Sequence, residues 1–391
     1  MLDFNFCVPN RFVMGKGSPA RVGEQLALHG AKRVLIVNDG GAYLADLMAT
    51  IRASIEAAGL VWMEMEEKAT SPRLSLVMKG VEFVRANDID FILAVGGGTV
   101  MDTAKAIGFM NVNDGDFTDY VLYRKASPKC MPVAAVVTLS GTGSEVSGTS
   151  MILDDRNEVG IKYPLFQDSI KFKFAVMDPS LTYSLPMKQT MSGAFDAITH
   201  IMEHYFCGET GYDLMDRMCE GVISGIMNSM KKVMENPSDY ETRAQLMMGS
   251  TLANSTLLGV GCDSDWAMHY MENPITTETH SPHGSTLAIV APAWMRYCYK
   301  RDLAKAVNFA VRVMGVAPQA TEEATALAGI DAFAAFLKEV GLPTSLREIG
   351  VTEDQLPEFA RRAGATAGQD RIGGISKLTL DEVVEIYKLA F

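Results

Sequence analysis

Asp90-Phe91-Ile92-Leu93-Ala94-Val95-Gly96-Gly97-Gly98-Thr99 is the stretch that decides the fold. An unbroken apolar run from Phe91 to Val95, bounded by Asp90 and three glycines, reads as a strand buried on both faces. From Val100 to Ala106 the periodicity turns helical, so the glycines form a strand-to-helix turn. A turn without side chains lets backbone N–H groups approach a phosphate, and the helix N-terminus adds a partial positive charge. The run is not a GxGxxG fingerprint, so by itself it does not make a standard Rossmann domain.

The same pattern recurs on either side. Arg33-Val34-Leu35-Ile36-Val37-Asn38-Asp39 is a strand that ends in Asp39 before Gly40-Gly41. Val133 to Val137 is a third strand and runs into Thr138-Leu139-Ser140-Gly141-Thr142-Gly143-Ser144. Pro19–Leu28 and Tyr43–Ala58 read as helices. Strands alternating with helices predict a parallel sheet covered on both faces, and two glycine-rich loops at strand ends fit a nucleotide crevice. After about Ser184 the alternation stops. Lys188–Tyr205, Gly211–Glu235, Tyr240–Leu258, Ser264–Asn273, Leu287–Tyr299, Arg301–Val313, Thr321–Val340 and Leu380–Leu389 read as helices, with breaks at Pro186, Asn236-Pro237 and Gly341-Leu342-Pro343. The expectation is a Rossmann-like α/β domain over residues 1–184 and an all-helical domain over residues 185–391.

Composition narrows the function. The 391 residues suit two or three domains at roughly 150 residues each. Lys+Arg of 35 against Asp+Glu of 47 leaves a net charge of −12, and no basic run is present, which argues against a nucleic-acid partner. The longest charge-free stretch, Ala244 to Cys262, is interrupted by polar residues and reads as a buried helix, not a membrane span. The first residues include Asp3, Asn5 and Pro9 and lack a continuous apolar run, so no secretory signal is expected. Cys7, Cys130, Cys207, Cys219, Cys262 and Cys298 form no CxxC pair and read as reduced thiols, which points to the cytoplasm. The 25 methionines, concentrated in the helical half, read as core filling.

The histidines carry the chemistry. Asp196 and His200 are spaced i, i+4, which on a helix puts carboxylate and imidazole on one face. His269 and His283 follow. One carboxylate and three imidazoles suit a borderline divalent ion such as Fe²⁺ or Zn²⁺. His204 and His280 compete by spacing, since His200/His204 and His280/His283 are also a helical turn apart, so spacing alone leaves the ligand set open.

Taken together, these fragments resemble the iron-containing (group III) alcohol dehydrogenase family over essentially the whole chain. The family's GGGSxxDxxK pattern matches Gly96-Gly97-Gly98-Thr99-Val100-Met101-Asp102-Thr103-Ala104-Lys105, with Thr99 in place of Ser. Its second loop matches Thr138 to Val146, and its DAxxHxxE segment matches Asp196-Ala197-Ile198-Thr199-His200-Ile201-Met202-Glu203. Asp265 to His269, with His283-Gly284 and Leu287 to Met295, is most similar to the butanol-dehydrogenase-like branch. The resemblance implies an NAD(P)-dependent alcohol dehydrogenase or aldehyde reductase that acts on small primary alcohols or their aldehydes, as a cytoplasmic homodimer. It implies one divalent metal, iron or zinc, held by Asp196, His200, His269 and His283, which resolves the ambiguity against His204 and His280. The cofactor contacts it implies are Asp39, Ser71, Gly96, Gly97, Gly98, Thr99, Asp102, Thr138, Leu139, Thr142, Ser144, Ser147 and Lys162.

Two further points concern single residues. Many members of the family carry a histidine four residues after the third ligand, where it can assist proton transfer; here that position is Asn273, which cannot titrate near neutral pH. Asp39 at the end of its strand can accept hydrogen bonds from an adenosine ribose and would repel a 2′-phosphate, so NAD is expected over NADP. A lyase of the dehydroquinate-synthase type would need cationic groups for a phosphate-bearing substrate, and no Lys or Arg lies in residues 196–204 or 269–283. A protein that only binds nucleotide or metal would not need the complete four-ligand set.

Overall fold

A strand with every residue buried requires cover on both sides, and Phe91–Gly96 is such a strand. In the computed structural model, which describes residues 2–66, 68, 71–122, 124–156, 161–208, 213–367 and 371–391, the chain divides into two compact units. One spans residues 7–184 and the other residues 185–391, joined by residues 2–6. The sequence pattern assigns those first residues to the α/β part. They go with the helical unit instead, where the Leu2 amide donates to the Gly261 carbonyl at 2.8 Å.

The α/β unit runs β1 (Arg11–Met14), α1 (Val22–Leu28), β2 (Arg33–Asn38), α2 (Ala45–Ala57), β3 (Val61–Glu66), α3 (Leu74–Ala86), β4 (Phe91–Gly96), α4 (Gly98–Val112), α5 (Phe117–Val121), β5 (Val133–Val137), β6 (Thr149–Asp154), β7 (Ile161–Phe166) and β8 (Phe174–Met177). Six strands form one parallel sheet in the order β1-β8-β5-β4-β2-β3, and β6 and β7 form an antiparallel pair. Val34 and Ile36 of β2 and Leu93 and Val95 of β4 meet Leu26 of α1 and Ile51 and Ile55 of α2 on one face. On the other side α3 and α4 pack together, and α4 lies on β4. The strands expected from the apolar runs are present. Those missed are the edge strands β1 and β3, the short β8, and the β6–β7 hairpin. β3 is only partly buried and carries Glu64 and Glu66, so it lacks a continuous apolar signal.

Register places the loops. Asn38 pairs with Val95, and Gly96 pairs with Val137, so Asp39, Gly97 and Thr138 leave adjacent strands at about one level. From β2 the chain moves toward β3 at one edge, and from β4 toward β5 in the opposite direction. The carboxyl ends of β2 and β4 therefore flank the point where a doubly wound sheet opens a crevice.

The helical unit contains α6 (Met187–Tyr205), α7 (Asp213–Glu235), α8 (Tyr240–Asn254), α9 (Ala267–Thr279), α10 (His283–Cys298), α11 (Leu303–Asn308), α12 (Glu322–Glu339), α13 (Leu356–Ala367) and α14 (Leu380–Leu389). No helix among the described residues is long and apolar enough to cross a membrane. Met191, Met202, Met230, Met268, Met271 and Met295 are core residues here. Two differences from the sequence reading concern α9. It starts at Ala267, because Trp266 adopts a left-handed conformation (φ 62°) and the Asp265 carboxylate accepts from the Ala267 amide at 3.1 Å. It also continues past Pro274 to Thr279, because its buried face of Met268, Met271 and Ile275 spans the proline. The helix expected over Arg301–Val313 becomes α11 followed by a wider π turn at Phe309–Val313, and α13 was not anticipated.

The start of α10 lies hard against α6. A Cβ on Gly284 would overlap the Ser192 carbonyl oxygen and approach the Asp196 amide nitrogen to 3.1 Å. Backbone stands on the far side of that contact, so the strain has no flexible side chain to absorb it. Gly284→Ala is expected to destabilise the helical unit by about 1–3 kcal/mol, the usual cost of overpacking. Chemical denaturation monitored by circular dichroism measures this, and an unchanged midpoint would show that α6 and α10 can separate freely.

Candidate active site

α6 is amphipathic over its length, and its period puts Asp196, His200 and Glu203 on one face. Asp196 and Glu203 are buried, at 3% and 0% exposure. His269 sits in the first turn of α9, and His283 is the first residue of α10. His269 Nε2 lies 3.8 Å and His283 Nε2 3.4 Å from Asp196 Oδ1, while His200 Nδ1 lies 3.3 Å from the same oxygen. One donor atom from each of Asp196, His200 and His269 falls within 4.8 Å of the others.

The Nδ1 of each imidazole has a closer acceptor than Asp196 Oδ1. His200 Nδ1 meets the Asp196 carbonyl oxygen at 2.8 Å, His269 Nδ1 meets Glu203 Oε1 at 2.9 Å, and His283 Nδ1 meets Glu272 Oε2 at 2.7 Å. With Nδ1 donating, neutral His269 and His283 present their Nε2 lone pairs on the side of Asp196 Oδ1. Asp196 Oδ1 and His269 Nε2 are buried and make no hydrogen bond. A buried carboxylate oxygen and a buried imidazole nitrogen left unbonded would be costly, and a shared divalent cation satisfies both. The donor set therefore fits such an ion. Burial alone would raise the Asp196 pKa, but His200, His283 and His269 hold it well below the usual carboxylate range.

The two competing histidines lie apart from this cluster. His204 is buried one turn beyond His200, with Nδ1 2.6 Å from Ser264 Oγ, and burial pushes its pKa down to about 3. His280 is exposed and ends α9 in a left-handed conformation (φ 54°). Trp266 packs its ring against His200 and His269, closing one side of the cluster. Sequence reasoning did not single out Glu272, and it quoted Glu203 only within a motif. Their helical spacing was available as a signal, with Glu203 three residues after His200 and Glu272 three residues after His269.

In the α/β unit the glycine turn is close-packed. A Cβ on Gly96 would press on Val100 at 2.7 Å, and one on Gly98 would come within 2.8 Å of Thr142 Oγ1. Leu139 stands 3.4 Å from where a Gly97 Cβ would be. The Thr138 amide donates to the Gly96 carbonyl at 3.2 Å, which ties the two loops together. No side chain caps the N-terminus of α4, so the first-turn donors at Gly98 and Thr99 remain available to an anion.

Beneath this turn is a buried polar lock. Lys105 Nζ donates to Ser144 Oγ and to the carbonyls of Ser147 and Thr149, each at 2.9 Å. Asp102 accepts from Ser144 Oγ at 2.6 Å and from the Met151 amide at 2.9 Å. Burial pushes Lys105 down to about 8, against the pull of Asp102 and Glu145. The side chains of Asp102 and Ser144, two of the expected cofactor contacts, are thus committed to each other, and they hold the second loop against α4. Ser147 Oγ accepts from the Thr149 amide at 3.0 Å, while Thr142 is exposed. Chain just after Ser71 bridges to Leu153 of β6, the residue opposite Lys162 of β7. Asp39 Oδ1 accepts from the Gly41 amide at 2.9 Å, and its other oxygen accepts from the Tyr43 hydroxyl.

A parallel sheet opening at uncapped glycine turns, in a chain that also brings three part-buried imidazoles around one buried carboxylate oxygen, fits the class of nucleotide- and cation-using oxidoreductases. Residues 9–179 match the family described as iron-containing alcohol dehydrogenase, and residues 190–391 match the C-terminal part of the Fe-containing alcohol dehydrogenase family. The chain belongs to this family and is an oxidoreductase of the alcohol dehydrogenase and aldehyde reductase type. It is 33% identical to the NADH-dependent butanol dehydrogenase A of Clostridium acetobutylicum, with 100% of each chain covered. It is 30% identical to the NADPH-dependent aldehyde reductase YqhD of Escherichia coli, again with 100% of each covered. The crystal structure of NADH-dependent butanol dehydrogenase A from Thermotoga maritima superposes with a TM-score of 0.93 at 32% identity, covering 100% of this chain and 99% of that one.

Proposed function

We propose that this protein interconverts small primary alcohols and their aldehydes with NAD(H), using one divalent cation, iron or zinc, held by Asp196, His200, His269 and His283. The observation that carries the reading is the convergence of three imidazoles on the single buried oxygen Asp196 Oδ1. A cation bound there is a Lewis acid toward a substrate oxygen, and the nicotinamide, when bound, supplies or accepts the hydride. The protein's residues do the rest. Backbone donors at Gly98 and Thr99 take the diphosphate, in the cradle left by Gly96 and Gly97 and bordered by Thr138, Leu139 and Thr142. Asp102, Ser144 and Lys105 keep that cradle in shape, while Ser71, Ser147 and Lys162 lie along the hairpin side of the same unit. Trp266 packs against His200 and His269 and screens that side of the site from water. The same reading takes the protein as a cytoplasmic homodimer, in keeping with six thiols of which none is in a disulfide.

Metal content tests the ligand set. His269→Ala or His283→Ala should remove the metal and nearly all turnover, whereas His204→Ala and His280→Ala should retain stoichiometric metal by elemental analysis. Full activity in enzyme shown to be metal-free would refute the assignment.

Relatives named for NADH and for NADPH stand on both sides of the cofactor choice, so Asp39 is the deciding residue. Its carboxylate, braced by Gly41 and Tyr43, would face a 2′-phosphate at close range. Like charges a few Å apart in a partly desolvated site cost on the order of a few kcal/mol. Asp39→Gly should raise relative use of NADP by at least about tenfold, or roughly 1.4 kcal/mol. Measuring kcat/KM with both cofactors decides this, and a wild type that already prefers NADPH overturns it.

The proton must leave without help from position 273, since Asn273 is uncharged at any working pH. Water or a ribose hydroxyl carries it in this reading. Asn273→His adds a group titrating near neutrality and should shift the pH–rate profile. An identical profile would put residue 273 off the proton path.

A further inference from the structure

Two buried glutamates beside the histidines are not needed as ligands. Glu203 and Glu272 are 0% and 1% exposed, so each carboxylate sits where an unpaired charge would be costly. Glu203 lies on α6 but serves α9: its Oε1 accepts from the His269 imidazole at 2.9 Å and from the His269 backbone amide at 3.2 Å. Glu272 lies on α9 but serves α10: its Oε2 meets His283 Nδ1 at 2.7 Å, and its other oxygen takes the Thr276 hydroxyl. That hydroxyl is 3.1 Å from Thr286 Oγ1, one turn into α10. His200 needs no such partner, because its own helix offers the Asp196 carbonyl at 2.8 Å.

We propose that Glu203 and Glu272 are positioning residues that pass ligand orientation from helix to helix, α6 aiming the histidine of α9 and α9 aiming the histidine of α10. α6 and α9 then each supply a ligand together with the acceptor that fixes the tautomer and ring angle of the ligand on the next helix. The arrangement follows from chemistry as well as geometry. An imidazole that donates from Nδ1 to an anion keeps Nε2 unprotonated and more basic toward a cation. Thr276 adds a tie to Thr286, which sets the rotamer of Glu272 and connects α9 to α10 beside the ligand it aims. The inference rests on the four-ligand reading above.

The test measures zinc affinity by chelator competition, with Zn²⁺ alone as the probe, on wild type, Glu272→Ala, Glu272→Gln, Glu203→Gln and His283→Ala. Circular dichroism and thermal unfolding of each metal-free protein are recorded alongside. Loss of an acceptor behind a metal-bound histidine commonly weakens binding by about 10–100-fold. Glu272→Ala should fall in that range, and Glu272→Gln should lie between it and wild type, because an amide oxygen still accepts the Nδ1 hydrogen without the charge. Glu203→Gln should lose affinity while remaining folded. If wild type binds one zinc and all three Glu variants bind it equally tightly, the relay is wrong and the four-ligand site stands. Glu272→Gln as weak as Glu272→Ala also overturns the relay. If wild type binds no stoichiometric zinc, or His283→Ala binds as tightly as wild type, the underlying site is what fails.

Discussion

The structure of the helical unit depends on one buried carboxylate. Asp196 lies at 3% exposure with imidazoles approaching from three separate helices, and its Oδ1 makes no hydrogen bond of its own. A charge in that position is tolerable only if the groups around it arrive with their nitrogens correctly aimed. α6, α9 and α10 therefore have to meet at the same depth. Gly284 permits it by having no Cβ where α10 touches the Ser192 backbone. Asp265 enforces it at the other end by capping α9 and bonding the amides of Ile375 and Ser376.

Around that polar centre the packing is apolar and adaptable. Phe195, Ile198, Ile201 and Met202 of α6 point into the same core as Met268 and Met271 of α9 and Leu287 and Ile289 of α10. Unbranched methionine can fill the irregular gaps that crossing helices leave.

The α/β unit uses the same device at its own site. There a fully buried Lys105 bonds the carbonyls of Ser147 and Thr149 and the hydroxyl of Ser144, which in turn bonds Asp102, directly under a turn made of glycines. Glycines allow a ligand close approach but cannot hold a shape by themselves. The buried lysine and its hydrogen-bonded partners supply the shape, and the Thr138–Gly96 hydrogen bond ties the two loops together at their buried roots. In both units a buried charged group is bonded to the side chains around it, Lys105 to Ser144 in one and Glu203 to His269 in the other.

Much of this was legible in the chain itself. Continuous apolar strands ending in glycine specify a parallel sheet with a phosphate turn, because burial on both faces erases alternation and only glycine admits the close contacts at Gly96 and Gly98. Helical period puts Asp196, His200 and Glu203 on one face whatever the rest of the protein does. The tertiary structure alone decided the remainder. Which histidines join Asp196 depends on how α9 and α10 cross α6, and the Glu203–His269 contact closes a separation of 66 residues that no local pattern encodes. Spacing ranked His204 equal to His200, but packing buried it against Ser264. The motif offers Asp102 and Ser144 as cofactor contacts, and only the fold shows that their side chains bond each other. Local periodicity sets which face a side chain occupies; the packing of elements distant in sequence sets what that face meets.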